Sequence, residues 1–471
     1  MYLTEGGEIM ADKREIQNGR EEAMRSGSLP LTITKMALPC IISFLITSIY
    51  NLADTYFVSA LGTEATAAVS VNASLDQLIM MMGSFIAIGS ASLISRLLGA
   101  GERKKADQIL TNGFIFSLAL GLLLTVAGTL FRHQMVRLLG ATDTCEQFSV
   151  DYATYVLLAA PFMASSFVMN QCLRAEGNAL LSMVGMGFGG ILNCFLDPIF
   201  IFNMGLGVAG ASMATAISKL ISFCILLFPY ITRRSTLHLS VRNFKPEKDS
   251  MIQVVSMGSS ALFRTGLAIV AAIVLNKLAG QISDSVLASV GVSTKIMMFP
   301  FGFILGFGQG FQPVTGYNWG AKQYDRVLES YRFASRASLI GSAVMALLIG
   351  LGANRLILLF TENDAQMMKI GALCIRLQCI ALPAHAWVTI VNMLCVSIGK
   401  PKGAVALSTS RQGSCFLPIV YPMARLFGEY GIASVQAVAD VLSLALAVPI
   451  MRKMLRYIND TAAAGKAVPD A

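Results

Sequence analysis

Gly187-Phe188-Gly189-Gly190-Ile191-Leu192-Asn193-Cys194-Phe195-Leu196-Asp197-Pro198-Ile199-Phe200-Ile201-Phe202-Asn203-Met204-Gly205 is an apolar stretch with one carboxylate in its middle. A charge buried in hydrocarbon is costly, so an acid inside such a segment is a functional-site hypothesis by default. Asn193 precedes Asp197 by four residues, which puts its amide on the same helical face, within reach of the carboxylate. Pro198 removes the backbone donor that would bond the Cys194 carbonyl, so a kink is expected there. The plainer account is an acid capped only by local hydrogen bonds.

The rest of the chain shares this apolar character. Of 471 residues, 55% are apolar and 13% charged, about half the charged share of a soluble domain. Uncharged stretches of roughly 20 residues, enough to cross a bilayer, recur from residue 31 to residue 451. Twelve spans are expected, near 31–59, 67–98, 108–131, 150–173, 180–203, 209–231, 251–276, 286–317, 333–353, 368–398, 404–427 and 431–451. The fold class is therefore an all-α polytopic membrane protein. Residues 1–28 hold no apolar core resembling a cleavable signal, so the first span is expected to direct its own insertion.

The net charge of +9 does not point to nucleic acid, because of where the charges stand. Of 36 Lys and Arg, 25 fall on one set of alternate loops and six on the other. That bias predicts cytoplasmic termini and a multi-pass protein of the plasma (inner) membrane. Nine Cys are scattered without CxxC or CxxxH spacing, so neither a metal nor a redox cofactor is expected. No Walker A sequence, HExxH or nucleophile elbow occurs, and the chain is not expected to be an enzyme.

The chain also repeats. Leu98-Gly99-Ala100 returns as Trp319-Gly320-Ala321, and Gly89 as Gly310, at an offset of 221. Pro161 pairs with Pro383 and Gly177 with Gly399 at 222. Six spans per half is an even number, so both halves enter the membrane the same way round, related by a pseudo-twofold axis along the membrane normal. The expected organisation is a tail over 1–30, a six-helix bundle over 31–231 and a basic linker over 232–250. A second bundle over 251–453 and a tail over 454–471 follow. Two bundles facing across a cleft suit alternating access.

Acids within spans are few: Asp54, Asp76, Asp197 and Asp440. Asp54, Asp197 and Thr215 each lie five or six residues from the same end of their spans, roughly 8–10 Å below the rim. Tyr50 and Asn193 stand one turn below the two acids, so five polar groups from three helices can converge. Two carboxylates in low dielectric cannot both ionise cheaply, so the cluster would hold a proton, or a metal cation if both stay charged. Pro39 is either a tolerated membrane proline or a hinge for span 1. Arg264 in span 7 and Asp440 in span 12 are candidate cavity charges of the second half. They would either pair with each other or leave Arg264 lining a hydrated cavity, whereas Asp76 is read as a helix-packing hydrogen bonder.

These residues carry a family likeness. The chain resembles the multidrug and toxic compound extrusion (MATE) family, in its DinF/MepA-like branch, from about Leu29 to about Lys453. The likeness rests on Leu38-Pro39, Asn51-Leu52-Ala53-Asp54-Thr55, Leu192-Asn193 and Leu196-Asp197-Pro198-Ile199-Phe200. Leu173-Arg174-Ala175-Glu176-Gly177, Gly308-Gln309-Gly310-Phe311-Gln312-Pro313 and Gly316-Tyr317-Asn318-Trp319-Gly320-Ala321 add to it. The resemblance implies a cation-coupled exporter of hydrophobic, often cationic, small molecules. It implies coupling acids at Asp54 and Asp197, a polar network at Tyr50, Asn193 and Thr215, and a bending proline at Pro39. Branches that use sodium carry acids in spans 7 and 10, where this chain has Phe263-Arg264 and His385-Ala386-Trp387. The coupling ion is expected to be H+, with Na+ the alternative. A flippase of lipid-linked saccharides would share the two-bundle plan. Each chain is expected to hold a complete pathway and to act as a monomer in the lipid bilayer.

Overall fold

The structure is a computed structural model that describes residues 19, 21–143, 145–360 and 364–466. Among these residues every regular element is helical. The first six long helices are α1 (Leu29–Ser59), α2 (Thr63–Gly99), α3 (Arg103–Leu130), α4 (Glu146–Ala175), α5 (Ala179–Pro198) and α6 (Gly207–Ile231). They are followed by α7 (Lys248–Ile282), α8 (Asp284–Gly320), α9 (Tyr324–Leu358), α10 (Ala365–Ser397), α11 (Pro401–Thr409) and α12 (Leu417–Lys466). A short surface helix, Arg132–Leu138, follows α3.

Eleven helical segments are long and apolar enough to cross a membrane. The last, Pro401–Ala464, is 64 residues long, more than twice what one crossing needs. It turns back on itself at Gly428, which adopts φ 54°, ψ −127°, a conformation only glycine takes cheaply. Val420 then packs against Val435 and Ala439 in one cluster, which makes α12 a hairpin and accounts for the last two of the twelve expected spans. Several helices outrun their expected bounds, α9 by nine residues at its start. Apolar content marks only the membrane-embedded part, and polar turns extend the same backbone ladder into water. The described parts of the tails are packed against the helices. Met24 is buried, its carbonyl accepting from Asn318 at 3.1 Å, and α12 continues past residue 454 to set the Tyr457 ring, tilted, 5.8 Å from that of Trp319. Residues 1–18, 20 and 467–471 of the expected tails lie outside the described residues.

The repeat is visible as paired contacts. Gly99 lies against the Tyr317 carbonyl, and Gly320, its counterpart, against the carbonyl of Arg96, the counterpart of Tyr317. A Cβ at either glycine would collide with backbone, so the helices approach this closely only through glycine. Asn170 Nδ2 donates to the Ser182 carbonyl at 3.0 Å, and 222 positions on Asn392 Nδ2 donates to the Ala404 carbonyl at 2.8 Å.

Both described chain ends and the basic loops sit at one end of the bundle, here the basic end. There the apolar clusters mix both lobes: Met36, Ala37 and Cys40 with Phe307, Phe311 and Val391, and Ile94 with Tyr317. Ser92 Oγ donates across the lobes to the Val396 carbonyl at 2.5 Å, and Arg174 bonds Gln309. Contact reaches as far as Phe44 beside Gly302 and Met81 beside Gly266. Beyond that depth each cluster stays in one lobe: Val58, Leu75 and Val156 in the first, Ile296, Ile357 and Ile375 in the second. The lobes meet at the basic end and part at the other.

Candidate functional site

Asp197 closes the last turn of α5 and is fully buried. The i, i+4 spacing brings Asn193 beneath it, and one amide serves two partners: Asn193 Nδ2 donates to Asp197 Oδ1 at 3.0 Å and to Thr215 Oγ1 at 3.2 Å. That amide ties α5 to α6. Pro198 has no N–H to continue the ladder, and the chain passes through one π turn, Ile199–Asn203. Such turns mark functional sites because they offer backbone groups the regular helix conceals.

α1 contributes Tyr50 and Asp54. Gly190 lets α1 come close, since a Cβ there would stand 2.8 Å from the Tyr50 ring. The Tyr50 hydroxyl accepts from Lys219 Nζ on α6 at 3.1 Å, and the ammonium lies 4.9 Å from the ring centroid. Asp54 is within electrostatic reach of Asp76 on α2, of Lys219 and of Asp197. Tyr152 on α4 is buried, within electrostatic reach of Asp54, Asp76 and Asp197. Among the described residues four buried oxygens here have no donor: Asp54 Oδ1, Asp76 Oδ1, Asp197 Oδ2 and Asn193 Oδ1. Unsatisfied acceptors cost free energy in a protein interior, a cost that a proton or other positive charge at the cluster would relieve.

The expected five groups therefore all reach one region of the first lobe, though as two linked sets: Asp197, Asn193 and Thr215, and Tyr50 with Asp54. Lys219, Asp76 and Tyr152 join them without having been anticipated. Asp76 lies within electrostatic reach of Asp54 and Lys219, and among the described residues its Oδ1 has no hydrogen-bond partner, against the reading of it as a packing hydrogen bonder. Lys219 carried a usable signal, standing one turn from Thr215 on the same face. Pro39 sits inside a continuous α1. Beyond it Ser43, Thr47 and Ser48 donate to the carbonyls of Pro39, Ser43 and Phe44 at 2.9, 2.8 and 3.0 Å. Hydroxyls bonding back in this way soften a helix already short of one donor.

In the second lobe the suggested Arg264–Asp440 pair is not formed. Asp440 Oδ1 instead accepts from Arg411 Nε at 2.7 Å and from Gln436 Nε2 at 3.2 Å. A second π turn, Ser410–Ser414, carries Arg411 into the lobe. A π turn shifts the helix face by about one residue, which regular helical spacing does not anticipate. Among the described residues Arg264 has no hydrogen bond or ion pair.

The MatE family model matches residues 39–199 and 261–422, well over half of the chain and one segment in each lobe. The chain belongs to the MatE family. Among MATE relatives, a multidrug export protein MepA of Staphylococcus haemolyticus is 26% identical over 416 residues, covering 88% of this chain and 91% of its own. The MepA of Staphylococcus aureus strain N315 is 26% identical over 423 residues, covering 89% and 92%. A solved MATE multidrug resistance transporter in an outward-facing conformation superposes with a TM-score of 0.88 at 24% identity, covering 93% of this chain and 98% of that one. A MATE in complex with MaL6 gives a TM-score of 0.89 at 23% identity, with 93% and 99% covered. The π turn after Asp197 falls at the end of the first matched segment, and the one holding Arg411 lies inside the second.

Proposed function

We propose that this MATE protein is a proton-coupled multidrug efflux antiporter of the plasma membrane, with both termini cytoplasmic. It exports hydrophobic, often cationic compounds by alternating access and works as a monomer. The observation that carries this reading is the set of carboxylate oxygens on Asp54, Asp76 and Asp197 that have no hydrogen-bond partner among the described residues. A proton on Asp197 Oδ2 or Asp54 Oδ1 removes a buried charge and turns an unsatisfied acceptor into a donor. Proton is favoured over sodium because the Lys219 ammonium, bonded to the Tyr50 hydroxyl, already lies within electrostatic reach of Asp54 and Asp76 and offsets part of their charge.

In the present conformation the cleft opens away from the basic end, so the cluster takes protons from outside as drug leaves. Neutralising the acids makes it cheaper to withdraw them from water, and α1 bends at the weakened stretch from Pro39 to Ser48. The lobes then part at the basic end, where the proton is released and drug enters. Inward proton flow supplies about 2.3 kcal/mol per charge per 100 mV, plus any concentration difference. The relatives' description as multidrug export proteins supports the same substrate class.

The test is efflux of ethidium in everted vesicles energised by a pH gradient or by a sodium gradient. Asp54→Asn and Asp197→Asn are expected to abolish pH-driven transport while folded protein remains in the membrane. Full transport in both variants removes their coupling role. Transport driven by sodium alone points to the sodium exporter. No ethidium transport, with lipid-linked saccharide moved instead, identifies a flippase.

A further inference from the structure

Residues 21–28, just ahead of α1, reach both lobes at the basic end. Residues 21–25 are helical, and the chain then turns through Gly27, whose N–H donates to the Glu22 carbonyl at 3.2 Å. A Cβ on Gly27 would stand 2.5 Å from the Ala23 carbonyl oxygen, so an elbow this tight leaves no space for a side chain. Thr32 Oγ1, in the first turn of α1, donates back to the Ala23 carbonyl at 3.2 Å. The elbow is thereby folded onto the helix it precedes.

The first lobe holds one end of this segment. Glu21 pairs with Arg103 of α3 at 2.6 Å, its side chain only 20% exposed. The second lobe holds the other. Asn318 Nδ2, near the end of α8, donates to the Met24 carbonyl at 3.1 Å. Arg326 Nη2, at the start of α9, donates to the same carbonyl at 3.4 Å and to the Gly27 carbonyl at 2.8 Å. Carbonyls in the last turn of a helix lack an intrahelical partner, and a basic side chain is one of the groups that caps them. Arg326 Nε also donates to Asn318 Oδ1 at 2.9 Å, which fixes the plane of the guanidinium. The Met24 side chain is buried in the cluster where Leu98 and Ile109 of the first lobe meet Tyr317 of the second.

If the lobes part at the basic end, α8 and α9 move away from α3, and the segment cannot keep both holds. The Glu21–Arg103 pair is half in water and contributes little. The bonds from the Arg326 guanidinium are charge-assisted and stronger. We propose that residues 21–28 form a latch across the two lobes, with Arg326 as its catch, which has to open before the basic end can. The latch stabilises the present conformation and sets how often the cleft opens toward the basic side. Its bonds end on neutral carbonyls that water satisfies once they are exposed, so release strands no buried charge and is reversible. This goes beyond the export reading and takes from it only the existence of a second state, open at the basic end.

The test reads the separation of the lobes directly. Nitroxide labels are placed at Lys104 of α3 and Glu329 of α9, both exposed, in the full chain in lipid nanodiscs. They are attached through a keto amino acid, which leaves the nine native cysteines untouched. Arg326→Gln and Gly27→Ala are each expected to raise the ratio of long to short distances about tenfold, the yield of losing one charge-assisted hydrogen-bonding group. Both variants break the same contact from opposite sides, so the double variant is expected to match the stronger single one. Unchanged distances in both single variants overturn the proposal. So does a shift in Arg326→Gln with none in Gly27→Ala, which assigns the guanidinium to the α8–α9 junction alone, and so does a double variant in which the two effects multiply. Should Arg326→Gln fail to fold, Arg326→Lys, which keeps a point charge without the fork, takes its place with a smaller expected shift. Proton-driven ethidium efflux by the wild type is the control. Its absence sinks the export reading, whereas its presence with unmoved distances sinks this inference alone.

Discussion

Lys219 shows how one side chain alters the chemistry of a site. Three carboxylates alone in low dielectric would draw any available cation, sodium included. An ammonium tethered by its own backbone is a cation at high effective concentration that never dissociates. Held by the Tyr50 hydroxyl at 3.1 Å, it offsets part of the cluster's negative charge, which on the proton-coupled reading proposed above disfavours a metal ion. Lys219→Gln is therefore expected to make pH-driven ethidium efflux sensitive to sodium. The measurement compares efflux rates in sodium chloride with those in choline chloride of equal strength. Identical rates in the variant would show that the ammonium does not exclude sodium.

At the scale of elements, the seam between α1 and α8 holds the lobes together at the basic end. Gly302, Gly306 and Gly310 recur every four residues along α8 and face α1. A Cβ on Gly306 would stand 2.7 Å from the Ile41 Cα, so one methyl group forces the helices apart. Overpacking of this kind costs about 1–3 kcal/mol. It applies only to the conformation in which the seam is closed. Gly306→Ala is thus expected to shift the population toward the state open at the basic end, slowing efflux. Spin labels at the basic ends of α1 and α8 would report a longer distance. An unchanged distance distribution would mean that the seam tolerates the methyl group.

The whole molecule is held by the linker as well as by that seam. Glu176, just beyond α4, accepts from the Tyr230 hydroxyl at 3.0 Å, from Ser235, and from the Thr236 and Leu237 N–H groups at 2.9 and 3.3 Å. Asn112 on α3 exchanges two hydrogen bonds with the Lys245 backbone, at 2.9 and 3.1 Å. The first lobe thereby grips the segment that leads into the second. Burial pushes the Glu176 carboxyl from its ordinary 4.5 up to about 7, outweighing the donors that pull it down. An acid raised in the folded state contributes stability that is complete below about pH 4.5 and is lost as pH climbs through about 7. The unfolding midpoint is expected to fall over that interval, by the equivalent of about 3 kcal/mol if Glu176 acts alone. Glu176→Gln, neutral throughout, should flatten the slope; a slope equal to that of the wild type would place the titrating group elsewhere.

Hydrophobic length and the alternation of basic loops settled the helical class and the spans, because the cost of burying charge in lipid acts on each residue separately. The repeat was legible because a glycine needed for close approach is needed in both copies, as Gly99 and Gly320 show. Asp197 with Asn193 was legible because helical spacing alone makes them neighbours, and the structure bonds them at 3.0 Å. Tertiary structure alone decided the rest. Lys219, Asp76 and Tyr152 enter the cluster from three different helices, whose relative rotation follows from packing across the whole lobe. Arg411 displaced Arg264 as the partner of Asp440 because a π turn re-aimed it, a change of one residue in register that regular periodicity hides. Which end of the cleft stands open is likewise visible only in the folded chain, because the contacts that join the lobes at the basic end link residues hundreds of positions apart, as Ser92 and Val396 do.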